Sequence, residues 1–108
     1  MGMIINLKEQ CGKRTISRDD GRVVAELIAD GLKKHDQITI DFDNIMIASV
    51  SFFDEAFGKL AFQYPKKDLK KKLVFEKIDK YDRALLNDIL ISRYRQQEKK
   101  VEGATKLN

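Results

Sequence analysis

The spacing of apolar residues along this chain shifts repeatedly between a two-residue and a helical period, and each shift marks an element. Met3-Ile4-Ile5-Asn6-Leu7 is a short apolar run suited to a first strand. Residues 8–16 mix polarities around Gly12 and predict a turn or a weak second strand. After Ser17 the period turns helical. Val24, Leu27, Ile28 and Leu32 recur at three- and four-residue steps and form a stripe to be buried. Ser17 is the expected N-cap, with Asp19 and Asp20 at the positive end of the helix dipole. Lys33, Lys34 and His35 sit at its negative end, where cations are favoured.

Gln37-Ile38-Thr39-Ile40-Asp41-Phe42 then alternates apolar and polar at period two, the clearest strand in the sequence. Asp43-Asn44 makes a turn or bulge, and Ile45-Met46-Ile47-Ala48 is apolar again. Ser49-Val50-Ser51 leads into a second helix, whose core stripe is Phe53, Ala56, Phe57, Leu60 and Ala61. Ser51 and Asp54 have the spacing of a capping box, while Asp54, Glu55, Lys59 and Gln63 fall outward or on the rim. Gly58 inside this helix costs about 1 kcal/mol against alanine. Its presence predicts close packing against a neighbouring element.

Pro65 ends the second helix, and a lysine-rich stretch bridges to a third main strand, Leu73-Val74-Phe75. Asp79 or Lys80 opens a last helix with Leu85, Leu86, Ile89 and Leu90 inward, running to about residue 100. Strand and helix alternate throughout, which predicts an α/β fold. The expected architecture is a small, mostly parallel or mixed sheet of about four strands packed against about three helices. Residues 1–100 form the expected domain, and 101–108, poor in apolar residues, an expected disordered tail.

Composition narrows the chemistry. At 108 residues, 43% apolar and 35% charged, the chain has the balance of one folded, very soluble domain. No apolar run approaches the roughly 20 residues needed to cross a bilayer, and the N-terminus lacks the pattern of a secretory signal. No membrane association and a cytoplasmic location are therefore expected. One cysteine and one histidine exclude an intramolecular disulfide and disfavour a structural zinc site, so neither metal nor cofactor is expected.

The same scarcity bears on catalysis. Cys11 and His35 are the one conceivable nucleophile–base pair, yet His35 is already explained by the helix dipole and no orienting group accompanies them. Asp54 and Glu55 are helical neighbours, which point about 100° apart and cannot share one site. The six glycines show no phosphate-cradling spacing. No catalytic residues are assigned, and the chain is not expected to be an enzyme.

The net charge is +4, and its placement matters more than its size. Lys66, Lys67, Lys70, Lys71 and Lys72 crowd one stretch, and Arg93, Arg95, Lys99 and Lys100 crowd the end. Tyr64 and Tyr94 lie beside these runs. Such segments attract phosphates or acidic protein surfaces. A nucleic-acid-binding accessory protein using residues 66–72 and the basic last helix is thus the alternative reading.

The segment from Ile38 to Leu60, ITIDFDNIMIASVSFFDEAFGKL, carries the most information. A strand ending in Asp41 passes the Asp43-Asn44 turn and enters a loop whose serines stand at a helix start. Helix capping alone accounts for Ser49 and Ser51. A phosphate attached to Ser51 is the alternative, adding about −1.5 to −2 charges beside the cap. The expected partner-binding residues are Asp43, Asn44, Ser49, Ser51, Asp54 and Glu55, with Ser51 as the possible phosphorylation site.

The runs IDFDNI and ASVSFFDEAFGKL resemble the STAS-like family of uncharacterised bacterial proteins, and Thr15-Ile16-Ser17-Arg18 is similar to that family's approach to its first helix. The resemblance spans roughly residues 3 to 95. The layout is more distantly similar to STAS domains of anti-sigma factor antagonists. Those dock on a histidine-kinase-like ATPase through a strand–loop–helix carrying an aspartate and a phosphorylatable serine. Here Ser49 stands where the aspartate belongs and Val50 where that serine belongs, while Ser51 matches the second serine. The resemblance implies a STAS-like, non-enzymatic regulatory module that binds a protein, with such an ATPase as one candidate partner. An exposed sheet edge also makes a homodimer a reasonable expectation.

Overall fold

A computed structural model describes the backbone of residues 2–106 and the side chains of residues 2–96. Strand β1 (Gly2–Asn6) runs directly into a short helix, α1 (Leu7–Cys11). Asn6 caps it by accepting from the Glu9 N–H at 2.9 Å, and Gly12 closes it in the left-handed region at φ 70°. β2 (Thr15–Ile16) and the long α2 (Arg18–Lys34) follow, then β3 (Gln37–Asp41) and β4 (Ile47–Ala48). A continuous helical rod spans 50–63. It comprises α3 (Val50–Phe53), a π-helical turn (Asp54–Gly58) and α4 (Leu60–Gln63). α5 (Lys66–Lys72), β5 (Leu73–Glu76) and α6 (Lys80–Lys106) complete the chain.

The fold is mixed α/β, and every described strand pairing is parallel. β1, β3 and β5 form one sheet with β3 in the middle, and β2 pairs with β4 in a second, two-stranded sheet. The expected sheet of about four strands is thus five strands in two sheets. Register aligns Met3, Ile38 and Leu73 in one rank and Ile5, Ile40 and Phe75 in the next, on a single face because strand side chains alternate. That face carries the core. Ile4, in register with Thr39, lies on the opposite face and is 70% exposed.

α2 keeps the predicted stripe, with Val24 and Ile28 fully buried and Leu27 and Leu32 packed against the core. Ser17 is its N-cap residue as expected, and Asp20 in the first turn also closes a capping box, the Ser17 N–H donating to Asp20 Oδ2 at 2.9 Å. The central rod is buried on more sides than a single stripe requires. Phe52 is as buried as Phe53, Ala56 and Phe57, because the rod is packed by α2 on one flank and α6 on another. Phe52, Phe53 and Phe57 join Phe42 and Phe75 in one aromatic cluster, with Phe42 stacked on Phe53 at 5.9 Å and Phe57 edge-on to Phe75 at 5.2 Å.

Two segments differ from the sequence expectation. Residues 7–11 are helical, not a turn or strand, with Leu7 as their buried anchor. The lysine-rich bridge is itself a helix, α5, pinned by the buried Leu69, and it begins directly after Pro65. The last helix opens where expected, with Asp79 accepting from the Tyr81 N–H at 2.9 Å. Its helical backbone runs to Lys106, beyond the end expected near residue 100. Of the expected tail, Leu107 and Asn108 lie outside the described residues. Among the described residues no helix is long and apolar enough to cross a membrane.

Candidate functional site

The turn after β3 is built by local polar contacts. Asp41 Oδ1 accepts from the Asp43 N–H at 2.9 Å, the Ile45 N–H donates to the Phe42 carbonyl, and Asn44 takes a left-handed φ of 64°. Arg14 fixes this turn from outside, its Nε donating to the Asn44 carbonyl at 3.0 Å. Asp43 faces Lys77 Nζ at 3.8 Å and remains half-exposed. The chain then pairs with β2, and the Ser49 N–H donates to the Ile16 carbonyl at 3.1 Å. That bond sets where the next helix begins.

The helix cap is Ser49, not Ser51. Ser49 Oγ accepts from the Phe52 N–H at 3.1 Å and lies 2.9 Å from Ser51 Oγ. Ser51 is within α3, so the capping box expected between Ser51 and Asp54 does not form. Asp54 is committed elsewhere. Its Oδ1 accepts from the Arg93 guanidinium on α6, through Nε at 3.1 Å and also through Nη2. The pair is about one-third exposed on both sides.

Glu55, expected outward or on the rim, is 8% exposed and faces α2. Arg18 Nη1 reaches its Oε1 at 3.0 Å, while Lys59 Nζ and Arg22 Nε approach Oε2 at 3.3 and 3.9 Å. The cause is the tight crossing of α2 over the rod at Gly21. A Cβ there would stand 2.8 Å from the Phe52 carbonyl oxygen and 2.9 Å from Glu55 Cβ. Gly58 shows the close packing its position predicts, since a Cβ there would meet Asp54 Oδ1 at 2.9 Å and Arg93 Nε at 3.4 Å.

The result is an open groove of about 670 Å³ between the start of the rod and α6. Ser49, Ser51 and Asp54 line it from the start of the rod, Arg18 from the start of α2, and Asp88, Ser92 and Arg93 from α6. The structure therefore gathers three of the six predicted residues in one place. Asp43 and Asn44 stand on the adjoining turn, and Glu55 is turned away beneath Arg18. Three apolar side chains of this stretch protrude: Met46 is 66% exposed, Ile47 59%, and Val50, itself on the groove, 59%. Arg18 and Arg93 were not legible as partners because they lie 37 and 39 residues from the carboxylates they bind.

Residues 20–83 match the family described as STAS-like domain of unknown function (DUF4325). The chain belongs to that family. No curated protein and no solved structure shows a significant match. Within this STAS-like domain the matched span runs from the start of α2 through the central rod and β5 to the first turn of α6, so it contains the serine loop but not Arg93.

The Cys11–His35 pair does not assemble. Cys11 lies beside Asp20 and Lys13 near the start of α2, whereas His35 follows its last residue. Fourteen helical residues lie between Asp20 and His35, about 22 Å along the axis. Burial, with the Asp20 charge beside it, pushes the Cys11 thiol above its ordinary 9.0 despite Lys13. That shift disfavours the thiolate a nucleophile needs. Among the described residues, no three His, Cys, Asp or Glu side chains stand together as a metal-binding group.

Proposed function

We propose that this STAS-like domain is a non-enzymatic regulatory module that docks on a partner protein through the serine loop and the groove behind it. The observation that supports this most is the exposure of Met46, Ile47 and Val50 within five residues of chain, with Val50 on the groove beside the Ser49–Ser51 hydroxyl pair. Apolar side chains held out in water beside a polar rim are the usual composition of a protein-binding patch. Asp43, Asn44, Ser49, Ser51 and Asp54 supply the polar part of the surface. Glu55 acts from beneath, holding Arg18 at the groove wall. A histidine-kinase-like ATPase is the candidate partner that the STAS likeness suggests, and a cytoplasmic location suits it.

Regulation by phosphate at Ser51 fits the same surface. The groove already holds Arg18 and Arg93, and a phosphoserine there would compete with Asp54 for the Arg93 guanidinium. The domain would keep its fold while its surface charge changed.

Ser51→Glu tests the surface, because the side chain points into an open groove and is not the cap. The variant is expected to keep its circular dichroism and melting temperature while the partner captured by wild-type protein from host lysate is recovered at a tenth or less. Asp54→Asn, which loosens α6 at the groove, is expected to weaken capture as well. Equal recovery with both variants would remove this surface from the reading.

A further inference from the structure

β5 is an edge strand, yet its free side does not open directly to solvent. α5 precedes it and α6 passes beyond it, leaving a second groove of about 580 Å³ on the flank of α6 away from Ser51. The two grooves take different residues of α6: Asp88 and Ser92 face the first, Asn87 and Ile91 the second. The second groove is apolar along its length. Its floor is Leu73, Val74 and Phe75, and its wall is Leu90, Ile91 and Tyr94. Phe75 packs its inner side against Phe57 and Phe42 but is only half-buried, because its outer side lies in this groove.

The charges at the rim are of one sign. Lys66 and Lys70, one helical turn apart on α5, stand on one side, and Arg83 of α6 stands on the other. Among the described residues no carboxylate lines this groove, whereas the first holds Asp54 and Asp88 next to its arginines. Arg83 is already oriented, since its Nη2 donates to the Phe75 carbonyl at 3.1 Å while the side chain stays exposed. That bond also occupies the outward carbonyl of Phe75.

We propose that this groove is a second docking site, which takes an acidic segment of a partner protein carrying a leucine or aromatic anchor. The anchor would lie against Phe75, Ile91 and Tyr94, and flanking carboxylates would reach Lys66, Lys70 and Arg83. Apolar floor and basic rim together select for such a peptide. A nucleic-acid backbone would satisfy the rim alone and leave the floor uncovered.

The test uses a fluorescein-labelled synthetic peptide alternating glutamate with leucine and phenylalanine, followed by anisotropy and by the amide NMR spectrum of the full chain. Saturable binding is expected, with shifts concentrated at Val74, Phe75, Ile91 and Tyr94. Two exposed-site variants should each weaken it at least tenfold with folding unchanged: Lys66→Glu combined with Lys70→Glu for the rim, and Ile91→Glu for the wall. The Ser51→Glu variant should bind the peptide as wild type does, which separates this site from the first. The proposal is overturned by any of four results: no binding, equal binding by the groove variants, equal affinity for polyglutamate, or tighter binding of a single-stranded oligonucleotide.

Discussion

At the scale of single residues, two glycines separate backbone contact from side-chain contact. Gly21 faces fixed atoms of the rod, the Phe52 carbonyl oxygen at 2.8 Å and the Ala56 nitrogen at 3.3 Å. A methyl group there cannot be accommodated without moving one helix from the other. Gly21→Ala is therefore expected to cost about 1–3 kcal/mol, the usual range for overpacking. Gly58 faces only the ends of Asp54 and Arg93, both able to rotate. Gly58→Ala also gains about 1 kcal/mol of helix propensity, so its melting temperature should stay near wild type while the Asp54–Arg93 pair loosens. Urea unfolding of the two variants checks the contrast, and equal losses would mean that side-chain and backbone neighbours resist a methyl group alike. Glu55 follows a related asymmetry. Its cationic partners are exposed and can return to water, but the carboxylate is enclosed, so the cations matter more to Glu55 than Glu55 does to them.

At the scale of elements, the parts legible in the sequence were those with a long, regular period. β3 showed five alternating residues, and α2 carried stripe, cap and dipole charges together. Elements with one buried residue had no period to read. Leu69 is the buried residue of α5 and Leu7 that of α1, so a run of lysines reads as a loop and a short helix as a turn. The serine loop was legible as a site, but the start of its helix was misplaced by two residues, because β2–β4 pairing sets that start and each strand has only two residues. Glu55 and Asp54 depended on partners in α2 and α6 that no local pattern reveals. The cap assignment has a direct consequence. Ser49→Ala removes the acceptor for the Phe52 N–H and is expected to cost about 1 kcal/mol. Ser51→Ala leaves that bond intact and should change the melting temperature little. Thermal melts of the two variants decide it, and the reverse order of stabilities would restore Ser51 as the cap.

At the scale of the molecule, α6 sets the shape. Its 27 residues extend about 40 Å, most of the 49 Å long axis. It also forms a wall of both grooves, so whatever holds it against the body holds both sites. Among the described residues, its ties to the body include Arg83 on the Phe75 carbonyl, Leu85, Leu86, Ile89 and Leu90 along the core, then Arg93 on Asp54 and Tyr94 at the rim of the cluster. We propose that the folding unit ends by residue 100. A chain stopped after residue 100 is expected to melt with the full-length protein, whereas one stopped after Ser92 loses Arg93 and Tyr94. Half-burying a tyrosine is worth about 1–2 kcal/mol and a half-buried ion pair up to about 1 kcal/mol. The loss of roughly 1–3 kcal/mol corresponds to a fall of roughly 5–20 °C for a domain of this size. Differential scanning calorimetry of the two truncations measures it. A full-length-like melt from the shorter chain would show that α6 is held by its first three turns alone, and the Asp54–Arg93 contact would then shape the groove without supporting the fold.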